Sequence, residues 1–256
     1  MNKDTLRQAV NVIATLVTIT VNGLAVALPL NGQNTGAISD RFKVFFVPAG
    51  YVFSIWGVIY LAMLAFTIYQ ALPSQRENPR LRRIGYLYAL SGLANSTWLF
   101  LWHYNYFVLS LFVMLSLLSL LIAIYVRLDI GRSQVPAGFR WAVNLLFSLY
   151  LGWISVATIA NATGLLYYLN WNGWGIGGEV WAVIMLGAAS IIAVLMSLTR
   201  ADVVFLLVLV WAFAGIALKQ AGAPLVVPAA WAATVLAALL AVFALVRGRQ
   251  LIKVSK

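Results

Sequence analysis

The chain has 256 residues, of which 63% are hydrophobic and only 9% charged, with a mean hydropathy of +0.94; soluble domains run at about 45–50% apolar and about 25% charged, so a water-soluble fold is excluded and lipid is the implied solvent. A formal net charge of +11 would suit a nucleic acid, but the basic residues gather in short segments between apolar runs, the positive-inside pattern of a membrane protein, which sets nucleic acid aside as a partner. With no cysteine and one histidine, disulfides, thiolate metal sites, thiol nucleophiles and multi-histidine centres are excluded too.

No stretch alternates as a membrane β-strand would, so the apolar runs read as helices rather than a barrel. The first run covers about Val10–Leu30; it is long enough to span and is read as a retained helix, not a signal peptide. Residues 31–47 form the longest outer segment, polar at its start and aromatic at its end, able to lie back over the membrane surface. The second run, Pro48–Leu72, opens with a proline that suits a helix's first turn, where its missing N–H is not needed. The third run is Gly85–Trp102, the fourth Tyr106–Val126 and the fifth Trp141–Leu165. The sixth is Val180–Leu198, the seventh, and shortest, Val203–Leu218, and the eighth Val227–Val246. The pieces "GWGIGG" and "AGAP" lack the context and lysine of a phosphate loop and read as turns.

The charges fix an orientation. With both termini cytoplasmic, 14 of the 17 basic residues fall on the inner side, and only Arg41, Lys43 and Lys219 on the outer, so eight spans obey the positive-inside rule. Asp4, Asp40, Glu77, Asp129, Glu179 and Asp202 all sit near run ends. No acid or base lies near a bilayer midplane, where a proton relay or ion-coupled pump would need one. Lys219 reads as a snorkelling end residue, and His103 as a run-end residue near water.

Amides, hydroxyls and indoles are then the remaining chemistry. Asn95, Trp98 and Trp102 share one face of the third helix; Trp153, Ala157 and Asn161 form a stripe on the fifth; Phe53, Trp56 and Tyr60 share a face of the second. Tryptophans near run ends (Trp102, Trp141, Trp171, Trp174, Trp181, Trp231) read as headgroup anchors, whereas Trp56, Trp98 and Trp153 lie deeper. Three aromatic faces and two asparagines would enclose a flat-walled cavity suited to a planar aromatic or sterol-like ligand. Spacing alone leaves such a pocket and plain helix packing as equal alternatives.

The segments "PAGYVFSIWGVIYLAMLAF", "LANSTWLFLW" and "GWISVATIANA", in that order on the second, third and fifth helices, resemble the tryptophan-rich sensory protein (TspO, translocator protein) family. The second-helix motif is met by Pro48, Gly50, Tyr51, Phe53, Trp56 and Tyr60, with Tyr51 where tryptophan is usual. The third is met by Asn95 and Trp98, and the fifth by Trp153, Ala157, Thr158 and Asn161. The resemblance implies an all-α, polytopic membrane bundle: a five-helix domain over residues 1–170, to which this chain adds a three-helix extension over 171–256. It also implies that the loop before Pro48 acts as a lid.

The resemblance further implies an intramembrane aromatic pocket binding porphyrin, a haem-like tetrapyrrole or another apolar small molecule, with a sensing, regulatory or transport role. The implied ligand-binding residues are Pro48, Tyr51, Phe53, Trp56, Tyr60, Asn95, Trp98, Trp153, Ala157 and Asn161. No metal, no required cofactor and no catalytic residue is expected. The chain reads as a non-enzyme, with light-dependent porphyrin degradation as the catalytic alternative the resemblance leaves open. The expected setting is multi-pass in the lipid bilayer of a bacterial inner (plasma) membrane, as a homodimer or beside a membrane-complex partner. The alternative is a structural or accessory subunit without a ligand, with Gly187, Ala188, Ala189 and Ser190 permitting close docking. "LLYYLNWNGWG" lacks the basic residue that ends the family's sterol motif.

Overall fold

The computed structural model describes residues 2–28 and 30–254, with side chains through Gly248. The side chains of Arg249 and Lys253, and all of Lys256, which the sequence assigns to the inner side, lie outside the described residues. Every regular element among the described residues is helical, and eight long helices stand where the eight apolar runs predict them. These are α1 (Lys3–Ala27), α2 (Ile55–Ala71), α3 (Leu87–His103), α4 (Phe107–Arg127), α5 (Leu145–Tyr168), α6 (Gly178–Arg200), α7 (Val203–Lys219) and α8 (Val226–Val254). Among the described residues, six continuous helical stretches, those of α1, α2, α4, α5, α6 and α8, are long and apolar enough to cross a bilayer. The other two, α3 and α7, are 17 residues each and pack among them.

Helix α1 starts seven residues before its apolar run. Asn2 caps it by accepting from the Asp4 amide at 3.2 Å, and the polar residues that follow turn inward. Arg7, Gln8, Asn11, Thr15, Thr18 and Asn22 are all buried, while Ile13, Leu16, Val17 and Leu24 face outward. This is the reverse of a soluble amphipathic helix: the apolar side meets lipid and the polar stripe meets the other helices. Gln8 and Gln70 exchange side chain-to-backbone bonds, at 2.7 and 3.2 Å. The Thr15 hydroxyl lies 2.6 Å from both the Thr67 and Tyr88 hydroxyls. Each such bond stabilises helix pairing by about 0.6–1.7 kcal/mol.

Helix packing follows a closed ring in the order α1, α2, α5, α4, α3 and back to α1. Outside that ring α7 lies along α5, and α6 and α8 pack against α7 and each other. Gly152 of α5 allows the close approach: a Cβ there would stand 3.1 Å from Val208 of α7. Charged pairs join only segments placed on one side by the positive-inside count. Asp4 meets Arg82 at 2.6 Å and Asp129 meets Arg200 at 3.5 Å on the inner side, while Asp40 pairs with Lys219 on the outer. The inner loop after α4 also touches the end of α6 backbone to backbone. Gly131 has φ +79°, and a Cβ there would stand 1.9 Å from the Arg200 carbonyl oxygen, so the position accepts only glycine.

Candidate functional site: an aromatic cavity beneath the outer loop

The site is built at the outer end of the ring. The chain reaches it through a 3₁₀ segment, Gly50–Ser54, before α2 begins. Three residues per turn bring Phe53 and Trp56 onto one wall. From α3 come Trp98 and Trp102, stacked at 5.8 Å with planes 21° apart. From α5 come Trp153, Val156, Ala157, Ala160 and Asn161. Thr35 and Ser39 of a short helix, Thr35–Asp40, and Pro48 complete the lining. Trp153 stands edge-on to Phe53 at 5.7 Å and to Trp56 at 6.3 Å. The enclosed space is narrow, about 40 Å³.

Three polar atoms on these lining residues are buried without a hydrogen-bond partner: Trp98 Nε1, Trp153 Nε1 and Asn161 Oδ1. Asn161 uses its amide nitrogen to donate to the Ser110 hydroxyl at 3.3 Å, which leaves the carbonyl oxygen free. Trp102 differs, donating to the Thr35 carbonyl at 3.3 Å. An unmet buried donor or acceptor costs about 1–3 kcal/mol, and two donors and one acceptor are left unpaired along these walls. None of the lining side chains is an acid or a base.

Of the ten residues expected here, Pro48, Phe53, Trp56, Trp98, Trp153, Ala157 and Asn161 line the cavity together. Three do not. Tyr51 sits on the 3₁₀ turn with its ring outward, 46% exposed and edge-on to Trp211 of α7 at 5.2 Å. Tyr60 is one turn further along α2, stacked against Trp56 at 5.7 Å. Asn95 is one turn from Trp98, outside the lining; its Oδ1 accepts from Asn22 of α1 at 2.7 Å, while its Nδ2 is buried without a partner.

Two residues expected at water or headgroups are in fact interior. Trp102 is 4% exposed and is a cavity wall. His103 is fully buried: its Nε2 lies 3.0 Å from the Thr35 hydroxyl and its Nδ1 3.2 Å from the Leu30 carbonyl. Both lie beneath the outer loop. Phe42 of that loop nests among Trp102, Phe107 and Tyr167, at 5.8, 5.0 and 6.3 Å. Trp141, Trp174 and Trp231 are exposed, as anchors would be. Thr35, Ser39, Val156 and Ala160 also line the cavity; Val156 and Ala160 share the face of Trp153 and Ala157 at helical spacing.

The fold and cavity together define a class: a polytopic helical membrane protein with an aromatic-walled space under an outer loop. A family model described as TSPO-like protein matches residues 8–246, and the chain belongs to that family. The match runs through α6, α7 and most of α8, so the family pattern includes the C-terminal helices as well as the ring. No curated protein and no solved structure matches the chain. Family and helices make it a multi-pass integral membrane protein.

Proposed function

We propose that the protein binds a planar, largely apolar aromatic ligand of the tetrapyrrole class in this cavity, in a sensing, regulatory or transport role. The observation that carries the reading is the trio of unpartnered polar atoms, Trp98 Nε1, Trp153 Nε1 and Asn161 Oδ1, among flat aromatic walls. Ring faces suit a π-system, while two donors and an acceptor suit the polar edge of such a molecule. The lack of acids and bases in the lining supports binding over acid–base turnover.

The volume sets a condition. Drug-sized ligands occupy pockets of about 300–1,000 Å³, against about 40 Å³ here, so a tetrapyrrole requires one wall to move. That narrowness also favours the second reading, a structural or accessory membrane subunit without a ligand. Titration of the purified full-length protein with protoporphyrin IX, followed by tryptophan quenching, separates the two. Saturable one-to-one quenching is expected. Trp98→Phe and Trp153→Phe keep a ring and lose a donor, and each is expected to weaken binding by roughly two- to tenfold, the worth of one hydrogen bond. Quenching that rises linearly, equal in all three proteins, would favour the ligand-free reading.

A further inference from the structure

The helices beyond the ring reach the cavity through the outer loop. Trp211, Gly215 and Lys219 lie four residues apart on α7 and so form one stripe. Each engages the chain between Asp40 and Val52. The Lys219 ammonium pairs with the Asp40 carboxylate. Gln220 Nε2 donates to the Val44 and Phe45 carbonyls at 3.3 and 3.1 Å. The Ala49 amide donates to the Gly215 carbonyl at 3.0 Å, and Trp211 Nε1 donates to the Val52 carbonyl at 3.1 Å. At Gly215 the side chains of the loop lie so close to the helix that a Cβ would stand 2.2 Å from Val52 Cγ2 and 3.2 Å from Pro48 Cβ.

Pro48 and Phe53 belong to the cavity wall, and this stretch of chain carries one and leads into the other. The remaining walls are membrane helices of a closed ring. The outer loop is therefore the wall with most freedom to move, and α7 is what holds its second half.

We infer that α7 is a brace on the cavity: its Trp211–Gly215–Lys219 stripe, with Gln220, holds residues 40–52 against the ring, and a ligand gains access only when this contact parts. The three C-terminal helices thereby control the occupancy of a site formed by the other five. The inference rests on the ligand reading for its purpose, but the brace itself is measurable without a ligand.

The absence of cysteine provides a clean background for that measurement. Ala160→Cys places one thiol in the cavity lining, and its rate of modification by a small methanethiosulfonate in detergent-solubilised full-length protein reports access. Adding Gly215→Ala drives a methyl into Val52, a stiff β-branched side chain. The rate is expected to rise by about five- to fiftyfold, the scale of an overpacked contact. Adding Val52→Ala removes the clashing methyl and is expected to return the rate towards that of the parent. If Gly215→Ala does not fold, Asp40→Lys is the second arm. It is expected to raise the rate by about two- to fivefold, the range of an exposed ion pair, and Lys219→Asp added to it to reverse the change.

A folded Gly215→Ala protein with the parent's rate would overturn the brace, as would equal rates across the ion-pair variants. Protoporphyrin titration of the parent chain and of the same variants without Ala160→Cys, a position in the cavity lining, keeps the two ideas apart. Rates that respond as expected in proteins that bind no porphyrin leave the brace standing and remove the ligand reading. Porphyrin binding with invariant rates does the reverse.

Discussion

Ala157→Phe is expected to abolish measurable protoporphyrin binding, lowering affinity by about a hundredfold or more. Ala157 is the small residue midway along the α5 wall, between Trp153 and Asn161. A phenyl ring there fills the space proposed for a planar guest between these residues. Each aromatic pair lost contributes about 0.5–1.5 kcal/mol, and forcing a ring into an occupied site adds about 1–3 kcal/mol. About 2.7 kcal/mol already amounts to a hundredfold. The check is the same quenching titration, run beside size-exclusion chromatography to show the variant folded. Undiminished binding in a folded variant would place the ligand elsewhere.

Asp202→Ala is expected to lower unfolding stability by about 2–5 kcal/mol, because it strands several buried groups at once. Asp202 joins three helices at the inner end. Its Oδ2 accepts from the Tyr125 hydroxyl of α4 at 2.7 Å and the Ser148 hydroxyl of α5 at 2.6 Å, and its Oδ1 caps α7 through the Phe205 amide at 3.1 Å. The residue is 6% exposed. Between α6 and α7 the chain turns through only Ala201, in a left-handed conformation at φ 49°, and Asp202 itself, so no slack exists to move another acceptor into place. Asp202→Asn keeps the capping oxygen but loses the charge and part of the acceptor capacity; it is expected to lose about half as much. Thermal unfolding of the detergent-solubilised proteins checks both. An alanine variant as stable as the parent would show that the clasp is not what fixes α7 to the ring.

Hydropathy and charge made the helices legible, since each run is bounded by polar segments. Face periodicity also made most of the cavity legible: residues three or four apart on α2, α3 and α5 do converge. It could not say at what depth a face stops serving the cavity. Tyr60 and Asn95 lie on the correct faces one turn too far, and the Asn95 carbonyl is taken by Asn22, a partner on a helix whose polar stripe is masked when hydropathy is averaged over a window. That stripe, Arg7–Asn11–Thr15–Thr18–Asn22, was nevertheless written in the sequence at spacings of four and three. Trp102 and His103 were misplaced because a run's end implies water only if nothing folds over it, and here the outer loop does. Asp202 looked like any run-end acid, because its partners lie 77 and 54 residues away. The contact of α7 with that loop joins residues more than 150 positions apart, beyond the reach of local pattern.

The central claim is that the indoles of Trp98 and Trp153 are donors held without partners until a planar ligand supplies an acceptor. Indole ¹H–¹⁵N spectra of the full-length protein, labelled at its ten tryptophans and titrated with protoporphyrin IX, test it most directly. Two indole resonances, identified by their loss in Trp98→Phe and Trp153→Phe, are expected at the upfield position of unbonded N–H groups, moving downfield together to saturation as ligand is added. Those two resonances staying fixed through a titration to excess porphyrin would contradict it.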